Sequence, residues 1–164
     1  MKRLAVILVS FLILFSLCAC GDEETKKDVK RVDVTFEMNS SKSTNDTVYM
    51  TTSLPIGMKL EVEIKQGKYD SVETVEVKGD IDGNYFQTEP QRDENDDPVK
   101  DGKYILRITS TEFSQQTAAV INQIGEKGEK LVGTCVFSDD ETEEKFINYS
   151  TPLTLKNHNF SISR

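Results

Sequence analysis

Apolar and polar residues alternate along most of this chain. The run RVDVTFEM (31–38) sets Val32, Val34, Phe36 and Met38 on one face and charged or polar residues on the other. MKLEVEI (58–64) repeats the pattern, with Met58, Leu60, Val62 and Ile64 against Lys59, Glu61 and Glu63. A period of two with one apolar face marks strands that cover a core on one side and meet water on the other, the habit of antiparallel sheets. Runs at 47–54, 73–79, 84–89, 103–110, 130–137 and 145–155 complete the series. Between them stand NSSKSTND, LPIG, KQGKYD, DIDG, DDPVKDG, GEKGE and SDDETEE, whose Gly, Pro, Asn, Asp and Ser clusters break strands and build turns. About eight short strands at this spacing predict an all-β antiparallel sandwich over residues 31–155, with 156–164 as a C-terminal tail.

Two segments refine that picture. In STEFSQQTAAVINQIG (110–125), Ala118, Ile121 and Ile124 recur at helical spacing and Gly125 can end a helix, so one short helix near 114–124 competes with an irregular crossover between sheets. DGKYILRI (101–108) resembles the tyrosine corner of immunoglobulin-like domains, in which a phenol at the start of a strand bonds back to upstream backbone. Tyr104 is the structural residue of that corner. The acid stands three residues before it, and Leu106 takes the place where antibody domains carry a cysteine, so an apolar core would stand in for the disulfide. The resemblance implies an immunoglobulin-like β-sandwich of about 7–8 strands.

The amino terminus is of another kind. Met1, Lys2 and Arg3 precede LAVILVSFLILFSL, about 14 residues interrupted only by serines. That is short of the roughly 20 needed to span a bilayer and fits the apolar region of a signal peptide, residues 1–19. LCAC (17–20) resembles the lipobox of bacterial lipoproteins, in which a diacylglyceryl group is attached to the cysteine before cleavage makes it the new N-terminus. The resemblance assigns lipid attachment to Cys20, with Leu17 and Ala19 as recognition residues, and removes Cys18. Residues 20–30 then form a polar tether, and the domain sits on the outer face of the bacterial cytoplasmic membrane, held by acyl chains and spanning nothing.

Removal of residues 1–19 takes away two basic residues and no acid, so net charge moves from −8 to about −10. Such a surface argues against nucleic acid, whose binding is dominated by cationic contacts to phosphate. It equally lacks the basic patch that anionic headgroups attract. With Cys18 cleaved and Cys20 acylated, Cys135 in the apolar run LVGTCVF has no partner for a disulfide and reads as a buried, inert thiol.

TTSLPIGMKLEVEIKQ (51–66), VEVKGDIDGNYFQTE (75–89), DGKYILRI and IGEKGEKLVGTCV (124–136) together look like a type of small Gram-positive lipoprotein with a single immunoglobulin-like domain. That resemblance implies a fold and offers no catalytic residue, cofactor or metal. The residues themselves agree. Asp93, Asn95 and Asp97 stand at the first, third and fifth positions of a calcium loop, but Pro98 replaces the turn glycine and Tyr104 the closing glutamate. Asp80, Asp82 and Asn84 also have their glycine in the wrong slot, and SDDETEE (138–144) reads as a solvated turn. His158 is the only histidine, too few for an imidazole-rich metal site. Without tryptophan, sugar stacking would fall to Tyr49, Tyr69 and Tyr85. The expectation is a membrane-anchored, non-catalytic binding or adhesion module with a protein or cell-surface partner. The alternative is an accessory lipoprotein that stabilises or regulates another envelope protein.

Overall fold

The computed structural model describes residues 30–163. The signal peptide, Cys20 and the tether up to residue 29 lie outside the described residues. Twelve strands run in the order β1 (Val32–Asp33), β2 (Phe36–Met38), β3 (Tyr49–Thr52), β4 (Lys59–Gln66), β5 (Tyr69–Glu76), β6 (Lys78–Asp80), β7 (Gly83–Gln87), β8 (Gly102–Ser110), β9 (Leu131–Val132), β10 (Val136–Ser138), β11 (Lys145–Lys156) and β12 (Asn159–Ile162). A single-turn 3-10 segment at Phe113–Gln115 and a helix α1 (Ala118–Ile124) sit between β8 and β9.

The strands form a short parallel pair, β1-β9, and two antiparallel sheets, one ordered β2-β3-β7-β6 and the other β10-β11-β8-β4-β5 with β12 also on β11. Together the two antiparallel sheets make an all-β sandwich. Met50 and Phe86 from the first sheet join Leu60, Val62, Ile64, Leu106, Ile108 and Leu153 from the second in one core cluster. The alternation explains which residues go in. Along β4 the odd positions stay at the surface while Leu60, Val62 and Ile64 are buried, and β8 does the same with Tyr104, Leu106 and Ile108.

Three apolar runs that read as single strands are each divided between partners. The run 31–38 pairs first as β1, parallel to β9, and then as β2, antiparallel to β3. Between them the Thr35 N–H donates to Ser53 Oγ, and Ser53 Oγ–H donates to the Asp33 carbonyl. The run 73–79 leaves one sheet as β5 and enters the other as β6. The run 130–137 breaks at Gly133, whose φ of 130° no side-chain-bearing residue holds comfortably.

Residues 110–125 contain both the irregular crossover and the helix. Thr117 caps α1 by accepting the Val120 N–H at 3.3 Å, and Gly125 closes it at φ 93° while donating to the Ile121 carbonyl at 2.7 Å. Val120 and Ile124 then fasten the helix to the core.

The domain boundary at residue 155 needs correction. Residues 156–164 are not a tail: Asn159–Ile162 pair antiparallel with β11, and Phe160 is wholly buried. The turn between β11 and β12 is Asn157 and His158, both at positive φ (50° and 63°). That is the backbone of a tight type I′ hairpin, normally signalled by Asn-Gly.

Candidate functional site

Connections gather at two poles of the sandwich. Residue 30 leads into β1, whose neighbour Ser53 opens the β3–β4 connection, so the described chain starts at the pole that also holds α1 and the acidic turn 139–144. The opposite, far pole carries the β2–β3 loop, the two-residue β4–β5 turn, the β7–β8 loop and the β11–β12 hairpin. It is tied together by hydrogen bonds between residues distant in sequence. The Gln91 N–H donates to the Asp46 carbonyl at 2.9 Å, and the Asp46 N–H to the His158 carbonyl at 3.1 Å. The Tyr69 hydroxyl donates to Gln91 Oε1 at 2.8 Å, while Gln91 Nε2 donates to Glu73 Oε1 at 3.0 Å. The other Glu73 oxygen accepts the Glu89 N–H at 3.0 Å. Burial pushes the Glu73 carboxyl above its ordinary range, and the two donors from residues 89 and 91 pull it back.

Tyr104 stands at the foot of β8, where its hydroxyl donates to the Lys100 carbonyl at 2.6 Å, four residues upstream. Its ring meets Phe160 edge-on at 5.6 Å and Tyr69 at 6.0 Å. The phenol therefore links the β7–β8 loop to both the C-terminal hairpin and β5. Burial raises its pKa.

The recess built on this framework is a cleft of about 630 Å³ between the start of β5 and the β7–β8 loop. Lys68, Tyr69 and Val72 form one wall, Arg92, Asp93 and Glu94 the other. A smaller hollow of about 170 Å³ adjoins it through Tyr69 and Asp93 and reaches Tyr104. Neither Lys68 nor Arg92 makes an ion pair among the described residues, so both cations are available to a ligand. The cleft supplies charge, hydrogen-bonding groups and an exposed valine. It suits recognition.

The carboxylates of the calcium candidates close their own turns. Asp93 Oδ1 accepts the N–H groups of Asn95 and Asp97 at 2.9 and 3.1 Å, closing its own turn, and Asn95 and Asp97 are exposed. Asp80 likewise accepts the Asp82 N–H at 2.8 Å, which with Tyr49 and Lys42 holds its carboxyl below the usual range. Among the described residues no group of three His, Cys, Asp or Glu is arranged around a common point. Millimolar calcium is therefore expected to leave the melting temperature unchanged. A folded-state ligand at one hundred times its Kd would add roughly 2.7 kcal/mol, so a rise of several degrees, lost when Asp93, Asn95 and Asp97 are all changed to Ala, would contradict this.

The three tyrosines proposed for stacking are committed to the fold. Tyr49 is sandwiched between Tyr85, 4.8 Å away and inclined by 12°, and the Lys42 ammonium 4.9 Å above its ring. Lys42 also pairs with Asp82 at 3.0 Å, which raises its pKa. Tyr69 presents its edge to Tyr104. Cys135 is buried with Sγ 3.7 Å from the Val34 carbonyl, and burial pushes its thiol up, away from the reactive thiolate.

One arrangement escaped sequence reasoning. His158 Nδ1 lies 3.0 Å from both carboxylate oxygens of Asp46, which is almost wholly buried although 112 residues away in sequence. Asn45 and Asp46 are also at positive φ (56° and 63°), so two left-handed turns face each other across the pole. The signal for it was the pair of Asn-initiated dipeptides, Asn45-Asp46 and Asn157-His158, each tolerant of that conformation. The imidazole is exposed and hydrogen-bonds to Asp46 alone among the described residues, so the pair ties two loops together.

No helix among the described residues is long and apolar enough to cross a membrane. Comparison with known families, with curated proteins and with solved structures yields no match to this chain.

Proposed function

We propose that the chain is a lipid-anchored extracytoplasmic module that works by binding, with Cys20 as the acylated residue and the far pole as the recognition surface. LCAC after an apolar run supports the anchor. The observation that carries the reading is the separation of the two ends: residue 30 leads in at one pole and the cleft opens at the other. A domain held through residues 20–30 thus turns Lys68, Arg92 and the β7–β8 loop away from the bilayer. The tether spans at most roughly 35 Å when extended, and the nine residues of β8 add about 30 Å of domain height. Recognition residues belong on such loops, because a rigid sandwich positions them and their backbone is free to vary. The acidic surface keeps the domain body off anionic lipid.

Cross-linking in intact cells with the acylated full chain tests the reading. A partner captured by the wild type should be lost when Arg92 and Glu94 are changed to Ala. It should be retained when Asp140 and Glu141, at the opposite pole, are changed instead. Capture that follows Asp140 and Glu141 and ignores the cleft would contradict it.

A further inference from the structure

The cleft opens along an edge strand whose free side pairs with no other strand among the described residues. β5 pairs only with β4, in eight consecutive registers from Gln66↔Tyr69 to Lys59↔Glu76 without a bulge. The two-residue turn of Gly67 and Lys68 closes Gln66 and Tyr69 as a hydrogen-bonded pair, and bonding alternates from there. Val77 keeps the phase, donating to the Met58 carbonyl at 2.9 Å and accepting from the Gly57 N–H at 2.8 Å. The backbone groups of Tyr69, Ser71, Glu73 and Val75 therefore serve β4. Those of Asp70, Val72, Thr74 and Glu76 face the open edge.

All four of these residues are exposed, Val72 at 58%. Apart from the Asp70 carboxylate, which takes Lys65 at 2.7 Å, they make no further hydrogen bond among the described residues. Soluble domains usually guard such an edge with a proline, a lysine or a bulge that stops another strand from adding. YDSVETVE has no proline, lysine or bulge, and its only charges are the carboxylates of Asp70, Glu73 and Glu76.

We propose that the occupant of the cleft is β5 of a second copy, added antiparallel about a two-fold axis through Val72, which rests on reading the far pole as the recognition surface. In that register Val72 meets its own copy, Asp70 faces Thr74, and Lys68 faces Glu76. An apolar side chain meets an apolar one, a carboxylate a hydroxyl, an ammonium a carboxylate. Neither Lys68 nor Glu76 has an ion-pair partner within the domain among the described residues, and Arg92 lines the cleft beside Lys68. Moving the axis to Glu73 sets Asp70 against Glu76, and like charges directly opposite are destabilising. The charge pattern thus favours the Val72 register over that shift. The two-fold also sends the two N-terminal poles in opposite directions, so the contact is homophilic between copies whose tethers leave from opposite ends.

The test uses the full chain extracted in detergent. Sedimentation over a concentration series should show a monomer–dimer equilibrium. Lys68→Glu and Glu76→Lys should each abolish the dimer, since either places like charges at both symmetric pairs, and the double exchange should restore it. Val72→Cys should link to itself on mild oxidation, because Cα atoms of a hydrogen-bonded pair lie about 5.5 Å apart, within disulfide reach. Asp70→Cys should not link to itself, but should link to Thr74→Cys when the two chains are mixed. A monomer at every concentration, a dimer indifferent to both charge variants, or Asp70→Cys linking to itself as readily as Val72→Cys would overturn the pairing. None of these readouts depends on acylation or on capture in cells. Their failure overturns the pairing and leaves the anchored module to its own tests.

Discussion

Phe160→Ala is expected to lower the unfolding free energy by about 3–5 kcal/mol, and a chain ending at Leu155 is expected not to hold its fold. Phe160 lies in β12, outside the span that alternation alone assigns to the domain, yet none of its surface is accessible. Its ring closes the far pole against Tyr104, and the backbone around it pairs with the second half of β11. Truncation to Ala leaves a cavity within the packed core cluster, which can collapse only in part. Domains of this size are stable by about 5–15 kcal/mol, so the loss is a large share of the total. Removing residues 156–164 also takes away His158 and its hold on buried Asp46. Ile162→Ala, in the same strand but 40% exposed, should cost far less. Urea denaturation of the three variants checks this. A change below about 1 kcal/mol for Phe160→Ala would show that β12 is an ornament of the sandwich and no part of its core.

What the amino-acid pattern reveals about this fold follows from what period-two alternation can encode. It reports which face of a strand is buried, and β4, β8 and most of β11 are read from it nearly to the residue. It cannot report a change of partner. Val32, Val34, Phe36 and Met38 keep one phase while the chain passes from β9 to β3, so the run reads as one strand and is two. KQGKYD reads as a broad turn because five of its six residues are polar or Gly, whereas only Gly67 and Lys68 turn and β5 begins at Tyr69. β12 was missed for a related reason. Its hairpin uses Asn-His where Asn-Gly is the recognised signal, and the Asp46 carboxylate that steadies the histidine arrives from a loop 112 residues earlier.

The candidate site was legible to a lesser degree. Tyr104 stands out because Asp-Gly-Lys-Tyr opens an alternating run, and its bond to the Lys100 carbonyl spans only four residues. The cleft does not stand out, since its walls come from residues 68–72 and 92–94 and neither segment carries an unusual composition. Spacing put Asp93 at the first position of a calcium loop that Pro98 and Tyr104 already broke. Only the positions of the Asn95 and Asp97 N–H groups reveal that its carboxylate organises the loop.

The second large effect concerns the anchor. Cys20→Ser is expected to release the whole population of the protein from the membrane. Each buried methylene adds about 0.8 kcal/mol of membrane affinity, and two acyl chains together give stable attachment that no surface feature of an acidic domain replaces. Cys18→Ser should change nothing, since that residue would leave with the signal peptide. The fold is expected to be indifferent to both changes, because both positions precede the alternating strand series that starts at Arg31. The most direct measurement is metabolic labelling with a radioactive fatty acid in cells expressing the wild type, Cys18→Ser or Cys20→Ser, followed by detergent-phase partitioning. The account predicts label and detergent partitioning in the first two and neither in the third. Label that persists in Cys20→Ser, or a wild type that takes none and partitions into the aqueous phase, would contradict it.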